Sequence, residues 1–192
     1  MPNFNYGICR FRLNIKEEFA LAKLALKGGE PIRTKPFPKW PIFDERELEA
    51  LRNVLESGVW GVRGSRKKEF EEKFASYQHA KYGVAVTSGS AALEVSLRTL
   101  GIGCGDEVIV PPYTFMATIT TIFYVNAIPI FADIDPETYT IDPKSVESAI
   151  SERTKAIMPV HISGRPADMD ALLSIAKKYD LHIIEDACQA WG

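Results

Sequence analysis

The sequence predicts an α/β fold, with a mainly parallel sheet and helices on both faces. Short apolar runs near 83–87, 107–110, 129–134, 155–160 and 182–185 alternate with helical stretches near 89–100, 115–125, 143–151 and 168–179. Strands separated by helices of about ten residues imply parallel crossover units rather than hairpins. Three of the runs end in turns built from small, aromatic or acidic residues, at the place where open α/β sheets hold ligands. With 192 residues, 46% of them hydrophobic, the chain is long enough to bury one sizeable core.

Taken in order, residues 1–27 read as an N-terminal extension. Phe19, Leu21, Leu24 and Leu26 have the spacing of a short amphipathic helix, whereas residues 1–15 show no period. Residues 28–192 read as one large domain. It begins with Gly28-Gly29 and the prolines at 31, 36, 38 and 41, an extended lead-in because proline fixes φ and biases its predecessor away from helix. Asp44 followed by Glu47 matches a capping box, and Leu48, Leu51 and Leu55 make a helical stripe that stops at Ser57-Gly58. Ser65 opens a second helix with Phe70, Phe74 and Tyr77 on one face. The alternating strands and helices then follow, with no internal repeat.

Composition excludes several classes. A formal charge of -2 argues against broad binding to nucleic acid or anionic membrane. No apolar run approaches the roughly 20 residues of a membrane span, and the start lacks the apolar segment of a secretory signal. Cys9, Cys104 and Cys188 are widely spaced, and no Cys-x-x-Cys pair exists, which suits a reducing compartment and gives no disulfide framework. The histidines at 79, 161 and 182 are equally scattered, so no metal-ligand spacing arises. The expectation is a cytoplasmic protein without nucleic-acid, membrane or metal partners.

Three constellations carry chemistry. In Thr87-Ser88-Gly89-Ser90-Ala-Ala-Leu93 a strand ends in a small-residue turn that opens a helix. Exposed amides at a helix start favour an anion, and glycine lets it approach the backbone. The alternative is a plain turn with serine as N-cap. In Val110-Pro-Pro-Tyr-Thr-Phe115 a rigid exit places an aromatic at a helix start, suited to stacking on a flat ring or to ordinary packing. In Glu185-Asp186-Ala-Cys188-Gln189 a carboxylate follows a buried run. Beside a heteroaromatic nitrogen it would favour the protonated ring; otherwise the acids are a solvated strand end.

Together, and in this order, these segments are specific. With Gly28-Gly-Glu-Pro-Ile-Arg-Thr-Lys-Pro-Phe-Pro38, Gly105-Asp-Glu-Val-Ile-Val110, Phe131-Ala-Asp-Ile-Asp-Pro-Glu-Thr-Tyr139 and Pro159-Val-His-Ile-Ser-Gly-Arg-Pro-Ala-Asp-Met-Asp170, the chain from about residue 24 to Gly192 resembles the DegT/StrS family. These are sugar aminotransferases, a branch of the fold-type-I enzymes that use pyridoxal 5'-phosphate (PLP). The resemblance implies that residues 28–192 are part of the large PLP-binding domain. By the same resemblance Ser88, Gly89 and Ser90 hold the cofactor phosphate, Phe115 stacks on its ring, Asp186 pairs with the ring nitrogen and Gln189 contacts the ring hydroxyl. His161 opens a substrate-facing segment in which Ser163 stands where the family usually has an aromatic, and this departure affects the substrate pocket more than the cofactor site.

The implied reaction is transfer of an amino group from an amino acid to the keto group of a sugar or cyclitol. The rival within the family is a PLP-dependent sugar dehydratase, and a different class is a non-catalytic binding or regulatory remnant. A transaminase needs a Schiff-base lysine, which in the family lies some tens of residues past the Glu-Asp motif and so falls beyond Gly192. No lysine here has that context, and no catalytic residue is nominated. The expectation is a truncated domain without the small C-terminal domain, inactive and association-prone by itself. The family resemblance also implies a homodimer when full length, with the N-terminal arm and the Trp60-Gly-Val-Arg-Gly64 loop as contact points.

Overall fold

The computed structural model describes residues 23–191. The chain divides into two compact units, residues up to Arg52 and residues from Asn53. Most of the expected N-terminal extension, with Phe19 and Leu21 of the expected helix, lies outside the described residues. So does Gly192, the far boundary of the expected large domain and the residue past which the resemblance places the Schiff-base lysine. Ala25–Lys27 forms a single 3-10 turn closed by Gly28 at φ 84.

Helix α1 (Glu45–Ser57) starts on the anticipated box. The Asp44 carboxylate accepts from Arg46 N at 2.9 Å, and Glu47 reaches back to Asp44 N at 2.8 Å, satisfying two amides that a helix start leaves free. Its leucine stripe stays exposed at Leu48, Leu51 and Leu55. Helix α2 (Ser65–Tyr77) stacks Phe70 on Phe74, with ring centroids 5.6 Å apart.

The sheet comprises β1 (Glu107–Val110), β2 (Ile128–Phe131), β3 (Thr154–Ile157) and β4 (His182–Ile183), in the order β2-β1-β3-β4 with every pairing parallel. Successive side chains of a strand point to opposite faces, and this alternation divides the core. Val108, Val110, Ala156 and Met158 pack with Leu93 and Leu97 of α3 (Gly89–Thr99) and Ile122 of α4 (Met116–Tyr124). Ile109 and Ile157 pack on the other face with Val146 of α5 (Pro143–Ala149) and Leu172 and Ala176 of α6 (Met169–Tyr179). Full burial of each large aliphatic side chain contributes about 1.5–3 kcal/mol, so the two central strands carry most of the fold.

The chain leaves β1 through α4 to β2 on one side, then crosses back to β3 on the other side of β1. The helices of the first two crossovers, α4 and α5, therefore lie on opposite faces, and a crevice opens beyond the carboxyl ends of β1 and β3. Three turns converge there.

One expected strand is absent. Residues 83–87 run extended but join no ladder. A strand needs a backbone partner, and this segment instead packs on α2, where Ala85 N donates to the Glu71 carboxylate at 2.8 Å. Lys67 Nζ, 2.6 Å from the same carboxylate, completes the contact. Val84 and Val86 remain exposed beside an apolar cleft of about 520 Å³ that also takes in Ile183 and Ile184.

Candidate functional site

A cavity of about 280 Å³ lies at the crevice, lined by Gly89, Ser90, Leu93, Thr114, Phe115, Ala117, Val160, Asp186, Cys188 and Gln189. Its walls come from the start of α3 and from the loops that follow β1, β3 and β4. The 520 Å³ cleft is wider but apolar, with Glu185 as its only charged lining residue. The smaller cavity brings together Ser90, Thr114, Asp186 and Gln189 from separate turns, and convergent polar groups are what orient a ligand.

At the α3 start, Ser88 acts as N-cap, its Oγ accepting from Ala91 N at 3.2 Å. Ser88 does not line the cavity. Gly89 and Ser90 do, and the first amides of a helix have no intrahelical acceptor, so they suit an anion. A Cβ at Gly89 would lie 2.7 Å from Cys188 Sγ, so only glycine leaves this corner open. Burial, together with the neighbouring Asp186, pushes the Cys188 thiol up to about 11, leaving it neutral at physiological pH.

Phe115 is the N-cap residue of α4. The residue is 69% exposed at the cavity, and among the described residues no aromatic ring stacks on it. Asp186 is the reverse, a charged group that is 5% exposed. It continues the β3–β4 ladder: Asp186 N donates to Pro159 O at 2.9 Å, and His161 N donates to Asp186 O. Its side chain accepts from Thr118 Oγ1 at 2.6 Å and Cys188 N at 3.3 Å. Among the described residues, no lysine, arginine or histidine pairs with it. A buried carboxylate is costly without a cationic partner, and it retains lone pairs for one.

Gln189 Oε1 accepts from Ser163 N at 2.7 Å. Because a backbone N–H can only donate, the oxygen must face it, and the Gln189 amide NH2 is free to donate elsewhere. Ser163 holds this position in the left-handed region, at φ 54. His161 is not brought into the cavity. It is buried, its Nδ1 accepts from Ala167 N at 3.1 Å, and its Nε2 therefore carries the hydrogen donated to Glu185 Oε2 at 2.8 Å. The ring ties the 160s turn to the strand end. Sequence reasoning missed Thr118, Thr114 and Ser163. The three threonines of the mostly apolar α4 were the available signal for Thr118; Ser163 acts through its backbone and leaves none.

Among the described residues no cluster of potential metal ligands occurs, and no helix is long and apolar enough to cross a membrane. Among the described residues no lysine lines the cavity. Residues 41–192 match the DegT/DnrJ/EryC1/StrS aminotransferase family. The chain is 49% identical over 172 residues to a Streptoalloteichus tenebrarius protein provisionally named an L-glutamine:3-amino-2,3-dideoxy-scyllo-inosose aminotransferase, covering 88% of this chain and 41% of that protein. It is 43% identical over 175 residues to the L-glutamine:2-deoxy-scyllo-inosose aminotransferase of Streptomyces lividus, with the same coverage. Among solved structures, NtdA from Bacillus subtilis with bound cofactor PMP superposes with a TM-score of 0.75 at 40% identity, covering 77% of this chain and 34% of that one. The chain thus spans about 41% of the length of these curated relatives.

Proposed function

Because this chain belongs to the DegT/DnrJ/EryC1/StrS aminotransferase family, we propose that it carries cofactor-binding elements of a PLP-dependent aminotransferase. The amino acceptor is a keto-cyclitol or ketosugar and the donor an amino acid, a reading supported by the L-glutamine and inosose named for the relatives. The observation that carries the proposal is Asp186, a buried carboxylate with no cationic side chain beside it among the described residues. A protonated pyridine nitrogen is the partner that such a group lacks.

The other residues fit the same ligand. The amides of Gly89 and Ser90 suit the phosphate, with Ser88 fixing the turn as its cap. Phe115 offers the exposed ring face, and the free NH2 of Gln189 suits a phenolate oxygen. PLP, when bound, supplies an electron sink for charge developing at the carbon that bears the transferred amine. The chain's own part is to hold the ring flat against Phe115, keep its nitrogen protonated through Asp186 and anchor the phosphate. His161 we assign to holding Glu185 and the 160s turn rather than to substrate.

Residues 28–192 are, in this proposal, part of the large domain of such an enzyme. A homodimer in the cytoplasm belongs to the same reading. Exposed Trp60, Phe70 and Tyr77 support the association, and free thiols at Cys104 and Cys188 support a reducing compartment. Titration of the chain with PLP tests the site. Binding should be lost in Asp186→Ala, and unchanged affinity in that variant would make any bound PLP adventitious.

A further inference from the structure

We propose that Thr118, backed by Thr114, is a positioning residue for Asp186, fixing the rotation of the carboxylate that meets the cofactor ring nitrogen. The proposal rests on the cofactor reading above and names residues that the sequence resemblance does not assign.

The hydrogen order follows from chemistry. A carboxylate can only accept, so the single hydrogen of the Thr118 hydroxyl goes to Asp186 Oδ2, at 2.6 Å. That is the length of a charge-assisted O–H···O bond. Thr114 Oγ1 lies 2.8 Å from Thr118 Oγ1, and with the Thr118 hydrogen already committed, Thr114 must be the donor. Two hydroxyl dipoles therefore align toward one carboxylate oxygen, each strengthening the next. Cys188 N holds the other oxygen at 3.3 Å, so the carboxylate is gripped from both sides and cannot turn freely.

The neighbouring threonine shows that this use is not the default. A buried threonine in a helix ordinarily bonds back to the preceding turn. Thr121 does so, donating to Thr118 O at 3.2 Å. Thr118, equally buried, sends its hydroxyl outward to a loop 68 residues on. Thr114, in the turn ahead of α4, faces it from four residues earlier, across the extended N-cap residue Phe115.

The test compares PLP binding to the wild-type chain, Thr118→Val, Thr118→Ser, Thr114→Val and Asp186→Asn. The readouts are equilibrium dialysis and the nitrogen-15 resonance of ring-labelled PLP at neutral pH, with circular dichroism verifying the fold of each variant. Thr118→Val should weaken binding about 10- to 100-fold, the worth of one hydrogen bond to a charged group, and move the resonance toward the unprotonated ring. Thr118→Ser should restore both, and Thr114→Val should lose about two- to threefold. Wild-type affinity and resonance in Thr118→Val, with binding lost in Asp186→Asn, would overturn the positioning role while leaving the cofactor reading intact. Unchanged binding in Asp186→Asn would overturn both. If Thr118→Val does not fold, the serine variant decides: loss of affinity there, with its hydroxyl retained, refutes the role.

Discussion

Replacing Glu107 with glutamine tests whether the central strand β1 is tied to the segment entering β3 by charge or by packing alone. The Glu107 side chain is 4% exposed. Arg153 donates to its Oε1 through Nε at 2.9 Å and Nη2 at 2.6 Å, while the Ser151 and Thr154 hydroxyls donate to Oε2. These donors, the Ser151 hydroxyl first and Arg153 next, hold the carboxyl below the usual glutamate range. Glutamine keeps the volume but loses the charge, and with its oxygen kept on Arg153 its NH2 faces the Ser151 and Thr154 hydroxyls, which can then no longer donate there. A hydrogen bond to a charged group contributes about 1.5–3 kcal/mol. Arg153 is 68% exposed and stays hydrated, so the expected loss lies near the low end, about 2 kcal/mol. With a urea dependence of about 2 kcal/mol per molar, the unfolding midpoint should fall by about 1 M.

The same site makes a signed prediction about pH. A carboxyl whose folded pKa is depressed binds its proton more readily in the unfolded chain. Its stabilisation is complete above the unfolded value, near 4.3, and is lost as pH falls through the lower folded value. The deficit of Glu107→Gln should therefore be full at neutral pH and shrink below about pH 4. Urea melts followed by far-UV circular dichroism at both pH values measure it. A wild-type midpoint at neutral pH, or a deficit that persists undiminished in acid, would refute the charge-based account.

Two glycines give the remaining predictions. Gly89→Ala puts a Cβ 2.7 Å from Cys188 Sγ and should cost about 1–3 kcal/mol as overpacking. Because the crowding atom is a side-chain terminus, Cys188→Ala should recover most of that loss in the double mutant, read from thermal melts and PLP affinity; strictly additive effects would show that the two residues do not meet. Gly83→Ala meets Glu71 O at 2.5 Å and Ala75 Cβ at 3.5 Å, so the obstacle is backbone and trimming a neighbour cannot relieve it. The 83–86 segment should lift from α2, and hydrogen exchange at the Ala85 amide should rise well above that of the strand β1 amides. Wild-type protection at Ala85 would remove the reason given for the missing ladder.

Sequence pattern reached furthest where a segment's neighbours are repeated by its own residues. Strand β1 is buried at every position and β3 at every position but Lys155, so the apolar stretches 108–110 and 156–158 made their positions legible. Residues 83–87 have the same local character, yet their strand state depends on a backbone partner, and no periodicity carries that information. The order β2-β1-β3-β4 was equally hidden, although the crossover it implies is what makes three separate turns face one cavity. Within that cavity, the residues named from the sequence are those whose type suits a ligand: Gly89, Ser90, Phe115, Asp186 and Gln189. What remained illegible is how they are held. The resemblance places His161 at the start of a substrate-facing segment, and no pattern in the sequence foretells that the Ala167 amide and the Glu185 carboxylate engage its two ring nitrogens. Thr118 drew no role from the sequence, but the topology sets it against Asp186. Ligand-facing chemistry is written in residue types, whereas the supports are written in contacts between distant segments. The supports therefore have to be sought from the buried polar groups outward, by asking where each hydrogen goes.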